Sequence, residues 1–450
     1  MIERERVFEI LQGVLTTSGA DQTEAIFIGN QKGLTRFANN SIHQNVAERD
    51  TSVIFRVALG KRVGVATANS LNKGRLIDTL KEAVKIAKHQ VENPHFSSLP
   101  SAQEYKRLET FFEETADFTP EERAERVGRI IKMVEDKGLQ VAGALSTSSG
   151  EIAVLNSFGV AAYQPLSAAT LRIVVSSADS SGYADSLCRD IGELDVDERT
   201  EVAIKRCLES KGPRDLKPGR YDVLLEPPAV GELIEWMSMI GFGAKSLQEE
   251  TSFLSDRLGE RIVSEKVTIY DDGNDPSGIA MPFDFEGIPK QRVYFIDKGV
   301  AQGVVYDSET ANREGKTSTG HALPPTSHSG PMPLNVFFAP GDEGEEEMLN
   351  SMRRGILVTR FHYVNGLLNT REALFTGMTR DGTFFVEDGK VKYPIENLRF
   401  TESMLKALSN VEMVSRERKA INAWWEAVGA AVVPSLLIKD FNFSGKTSGQ

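Results

Sequence analysis

The order helix, strands, helix occurs twice in the first 216 residues, and this repetition confines the chain to an α+β architecture. Residues 4–18 carry apolar side chains at helical spacing, and strand-like runs follow at 25–29, 33–37, 42–48, 51–59 and 62–68. Ser52-Val-Ile-Phe-Arg-Val-Ala-Leu59 has the β-branched and apolar content of a half-buried strand. A second helix is predicted over 72–91. The order returns after a Pro/Ser-containing spacer near 93–102. Thr119-Pro120-Glu121-Glu122 starts a helix, with Thr as N-cap and Pro at the first helical position. Strands are predicted at 139–147, 150–155, 160–163 and 166–177, and a helix over 197–211 stops at Lys211-Gly212-Pro213. No residue-level repeat accompanies the pattern. It reads as two α+β modules, 1–95 and 96–216, or as two halves of one larger N-terminal domain.

Lys217-Pro218-Gly219 marks the next boundary and opens a β-rich C-terminal domain, 217–450. A hairpin is predicted from 292 to 306 with Lys298-Gly299 at its turn, followed by a loop over 308–332. Further strands are expected at 355–364, 369–379, 383–387, 390–393 and 436–441, with helices at 345–354 and 401–408.

At 40% apolar residues the chain has material for a sizeable core. Its net charge of −12 argues against a nucleic-acid binder, which needs a basic face. The two cysteines, Cys188 and Cys207, fit a reducing compartment without a disulfide framework. The charged N-terminus reads as a helix, not a signal peptide, and the apolar run 427–438 is interrupted by Pro434. A soluble, cytoplasmic protein with no membrane partner is expected.

The segment that bears on chemistry is Gly219-Arg-Tyr-Asp-Val-Leu-Leu-Glu-Pro-Pro-Ala-Val-Gly-Glu-Leu-Ile-Glu-Trp-Met237, a short apolar strand running into an amphipathic helix. It resembles the stretch of the TldD/PmbA (TldD/TldE) metalloprotease family that carries His-Glu-x-x-x-His in the active subunit. Aligning Ala229-Val230-Gly231 on that family's Ala-Val-Gly places Pro227 and Pro228 at the first His and the Glu, and Glu232 at the second His. The family's third ligand is a cysteine near the C-terminus, and this chain has none after Cys207. A hydrolytic zinc site needs three protein ligands and an open position. Leu34–Ile42, Arg257–Asp272, Asp284–Pro289, Gly299–Asp307 and Gly355–Phe361 extend the likeness along nearly the whole chain, in the family's order.

The resemblance implies an α+β N-terminal region, a β-rich C-terminal domain and a TldE/PmbA-like subunit that lacks the zinc motif. It implies no metal or cofactor in this chain, with zinc in a TldD-like partner, and a peptide or unfolded protein as substrate. A homodimer is an alternative assembly. Two other readings stay open: a self-sufficient peptidase with a site drawn from Glu226, Glu232, His321 and His362, and a peptide-binding scaffold without a protease partner. In the first of these, His321 shares a Gly/Pro-rich loop with His328, and His362 alternates along a strand. Glu314-Gly315-Lys316-Thr317 and Ser444-Gly445-Lys446-Thr447 end like a phosphate loop, but the Gly required five positions earlier is Thr310 or Asp440, so neither qualifies.

Overall fold

The computed structural model describes residues 3–422 and 429–446. The first residues of the N-terminal segment, the start of the 427–438 run and Thr447 lie outside them. The first 216 residues form α1 (Arg4–Leu15), β1 (Gln22–Ala38), β2 (Ser41–Leu59), β3 (Arg62–Ala68), α2 (Lys73–His89), α3 (Glu113–Ala116), α4 (Pro120–Glu135), β4 (Gln140–Asn156), β5 (Ala161–Ser176), β6 (Ser181–Cys188) and α5 (Val196–Glu209). Both modules contribute three strands to one antiparallel sheet, ordered β3-β2-β1-β4-β5-β6. The seam is β1 on β4, paired from Glu24↔Asn156 to Phe37↔Gly143.

One face of the sheet carries the helices. Val7, Leu11, Leu76 and Leu80 pack there on Val53 and Phe55, and Val127, Ile130 and Ala203 pack on Leu171 and Ile173. On the other face Ile54, Ile152 and Val154 meet Met281, Phe283 and Phe285 of the C-terminal domain. The predicted start of α4 is present in full. Thr119 Oγ1 accepts from the Glu122 N–H at 3.2 Å, and Glu122 Oε2 accepts from the Thr119 N–H at 2.7 Å.

The strands are longer than the sequence predicts. Asn30, Gln31 and Lys32 read as a break, yet they pair with Asp50, Arg49 and Glu48 inside a single hairpin. Ser148 and Ser149 likewise continue β4. These polar stretches have partners on both flanks, so the ladder runs through them. β6 is absent from the sequence prediction, and the helix expected over 401–408 begins only at Met404.

The C-terminal domain comprises β7 (Gly219–Leu225), α6 (Pro227–Gly241), α7 (Ala244–Gln248), β8 (Ile269–Asp271), β9 (Val293–Asp297), β10 (Val300–Ala301), α8 (Ser308–Arg313), β11 (Asn335–Phe338), α9 (Glu345–Ser351), β12 (Arg354–Asn369), β13 (Leu374–Glu387), β14 (Lys390–Pro394), β15 (Leu398–Ser403), α10 (Met404–Ser409), β16 (Val411–Asn422) and β17 (Ala430–Lys446). β7 pairs with both β12 and β17, which closes β17-β15-β13-β12-β7 into a ring. Leu233, Ile234 and Met237 of α6 join the core of this ring beside Val358, Phe361 and Leu436. Among the described residues, no helix is long and apolar enough to cross a membrane.

Candidate functional site

Val223, Leu224 and Leu225 bury β7, and the chain turns into α6 at Glu226. Pro227 and Pro228 occupy the first two helical positions, where a missing N–H leaves no intrahelical bond unmade. Glu226 makes no cap bond with its side chain, which instead forms an ion pair with Arg206. One turn on, a Cβ at Gly231 would lie 2.8 Å from Ile421 Cγ2, so glycine is what lets α6 approach β16 so closely.

Pro228, Glu232, Glu235 and Trp236 follow helical spacing and line a cleft of about 510 Å³. The opposite wall is the helix-free face of the N-terminal sheet. There Arg172 and Val174 of β5 stand beside their register partners Asp185 and Tyr183 of β6. Arg360 to Asn365 of β12 form the third side. Arg360 Nε donates to Asp381 Oδ2 at 2.7 Å, Nη2 reaches the same oxygen, and the guanidinium lies 4.5 Å from the Tyr183 ring centroid. Asp185 is paired with Lys419.

Burial pushes the Glu232 carboxyl up to about 7, with Arg360 and Arg172 opposing the shift. Burial, reinforced by Arg360 and Arg380, pushes His362 down to about 4, so it stands as a neutral imidazole at neutral pH. Burial also raises the Tyr183 hydroxyl. The cleft thus presents a carboxyl poised near neutrality, two cations and an apolar surface that includes Trp236 and Ile421.

Of the residues proposed from sequence as an alternative site, Glu232 and His362 share this cleft. Glu226 lies in an adjoining groove of about 460 Å³ that meets the cleft at Tyr183, Asp185 and Pro228. His321 belongs to neither. It is fully buried, with Nε2 2.9 Å from Asp271 Oδ1 and Nδ1 3.0 Å from Thr319 Oγ1, so both ring nitrogens are engaged in the core. Arg172, Tyr183, Asp185, Trp236 and Arg360 were not singled out from sequence. The spacing of Trp236 four residues after Glu232 was the one local signal.

Pro227, Pro228 and Glu232 at the start of α6 do not fit zinc. Two prolines offer no side-chain donor, and Glu232 is a single carboxylate. Cys207 is buried, with its Sγ donating to the Ser180 carbonyl at 3.7 Å. Among the described residues, no group of three His, Cys, Asp or Glu is arranged to hold a metal ion.

The family model for the PmbA/TldA metallopeptidase C-terminal domain matches residues 218–445, just over half of the chain, and that for domain 1 matches 24–89. The chain belongs to the PmbA/TldA metallopeptidase family. Among its relatives, a metalloprotease TldD homolog of Buchnera aphidicola subsp. Schizaphis graminum is 24% identical over 405 residues, covering 85% of this chain and 82% of that one. Metalloprotease PmbA of Escherichia coli O157:H7 is 27% identical over 240 residues, 52% of this chain and 50% of that one. In fold, the chain is similar to the crystal structure of TldE from Thermococcus kodakarensis, with a TM-score of 0.88 and 23% identity over 97% of this chain and 100% of that one. The likeness in fold thus covers 97% of the chain, with an α+β N-terminal region and a β-rich C-terminal domain as expected.

Proposed function

We propose that this chain is the zinc-free subunit of a two-component cytoplasmic metalloprotease. It binds and encloses peptides while a TldD-like partner supplies zinc and cleaves them. One observation carries the reading: the strand-to-helix junction opens onto a cleft, while Pro227, Pro228 and Glu232 stand where the resemblance would put the zinc motif. The likeness in fold to TldE of Thermococcus kodakarensis supports it. β6, the terminal strand of the N-terminal sheet, borders the cleft through Tyr183 and Asp185, which suits an extended peptide held by strand addition. The test is zinc per chain and peptide cleavage, with and without a TldD-like subunit. Zinc well below one per chain and cleavage only in the mixture are expected. Chelator-sensitive cleavage by the chain alone would sink the proposal.

A second reading is favoured by the Glu232 carboxyl, whose titration near neutrality suits a general base. In that case the chain is a metal-independent peptidase. It would cleave peptides in the presence of chelator, and Glu232→Gln would abolish the activity.

A further inference from the structure

The charged groups of the cleft differ in how they are occupied. Asp185 is held by Lys419, and Asp381, just behind the wall, is held by Arg360 and by the Ser181 hydroxyl, which donates at 2.6 Å. Arg360 spends Nε and Nη2 on Asp381, while its flat face is fixed against Tyr183. Its Nη1 edge makes no hydrogen bond among the described residues. Arg172 comes from β5, on the opposite wall. Glu232 lies within reach of the field of both cations and makes no hydrogen bond to another described residue. Val174, Trp236, Val364 and Ile421 supply apolar surface around these groups. A guanidinium whose geometry is fixed in advance matches a carboxylate, and apolar walls strengthen the pairing by excluding water.

We infer that Arg172 and Arg360 form a carboxylate subsite in this cleft, which takes a carboxylate of an extended peptide, either its C-terminus or an acidic side chain. The inference rests on the peptide-binding reading above and adds a chemical preference to it. The apolar walls favour an apolar residue next to the carboxylate. In such a complex Trp236 is covered, which gives the site its own optical probe.

The experiment titrates the full chain with three matched apolar peptides, followed by calorimetry and tryptophan fluorescence. One has a free C-terminus, one is C-terminally amidated, and one is amidated with a single internal glutamate. Loss of a charge-assisted pair in an apolar site corresponds to roughly tenfold or more in affinity, and that gap is expected between the free acid and the amide. The gap should shrink in Arg172→Gln, with Lys85→Gln, an exposed side chain of α2 outside the cleft lining, run beside it as a control. If the glutamate peptide regains the affinity, the subsite accepts side chains; if it does not, the subsite selects the C-terminus. Equal binding of all three peptides overturns the carboxylate subsite and leaves peptide binding standing. No binding of any peptide overturns both. The comparison among peptides uses the unmodified protein, so a poorly folding variant does not decide it.

Discussion

Glu232 sits in the second turn of α6 and lines the cleft, and its surroundings hold a carboxyl that ionises only at some expense to the fold. The groups that face it are Arg172 from β5, Tyr183 and Asp185 from β6, Glu235 from its own helix, and Arg360 and His362 from β12. Burial outweighs the two arginines and raises its pKa from 4.5 to about 7. A raised carboxyl stabilises the folded state fully only below its unfolded pKa, and that contribution is lost as pH rises through the folded value. The window here runs from about 4.5 to about 7. Glu232→Gln is therefore expected to melt with the parent near the bottom of that window and to exceed it above the top, by ~1–3 kcal/mol. Thermal melts at the two ends check this. Equal stability on the alkaline side would mean that the carboxylate is ionised there without strain. The same protonation couples to ligand. A bound carboxylate disfavours a second negative charge beside it, so peptide affinity should fall as pH rises past about 7, and Glu232→Gln should flatten that dependence.

The elements repay a reading of what holds them apart as well as together. Alanine is a better helix former than glycine, yet Gly231→Ala is expected to destabilise the protein by ~1–3 kcal/mol, because the new methyl meets Ile421 at 2.8 Å. Ile421→Ala should relieve much of that cost in the double variant, as read by urea denaturation. If Gly231→Ala raised stability instead, α6 would not be confined against β16. The same scale shows what could be read in advance. Thr119-Pro120 and Pro227-Pro228 announce their helices because proline fixes the first turn whatever lies elsewhere. Lys298 and Gly299 announce their hairpin because both must adopt positive φ, 47° and 81°. β6 gave no such signal. Gly182 is there because a Cβ would collide with the Ala203 carbonyl oxygen, and Ala184 is buried, so the strand lacks the large apolar alternation that marks strands from sequence. The candidate site was half legible for the same reason. Its α6 side follows from local spacing, whereas Arg172, Tyr183 and Asp185 reach it only through the packing of one domain on the other.

Across the whole molecule, the two domains are joined by a buried ionic link as well as by apolar contact. Arg56 donates to both oxygens of Glu24 at 2.9 Å and to Glu286 Oε1 at 2.9 Å, so a cation on β2 bridges an acid of its own sheet and one of the C-terminal domain. Tyr105 adds a hydrogen bond from its hydroxyl to the Gly287 carbonyl at 2.8 Å. Removing the cation strands two enclosed carboxylates. Arg56→Met is expected to cost about 3–5 kcal/mol in chemical denaturation. A loss below about 1 kcal/mol would mean that water or protonation readily replaces the link. The sheet on which this link is built has a consequence for how the protein is made. β1 pairs on one side with β2, its neighbour in the chain, and on the other with β4, which is synthesised about a hundred residues later. While the ribosome extends the chain between the two, the nascent protein displays an unsatisfied strand edge along the future seam, the kind of surface that adheres to other chains. Truncation or translational arrest before Gln140 should therefore yield aggregates, whereas arrest after Asn156 has emerged leaves the seam already closed.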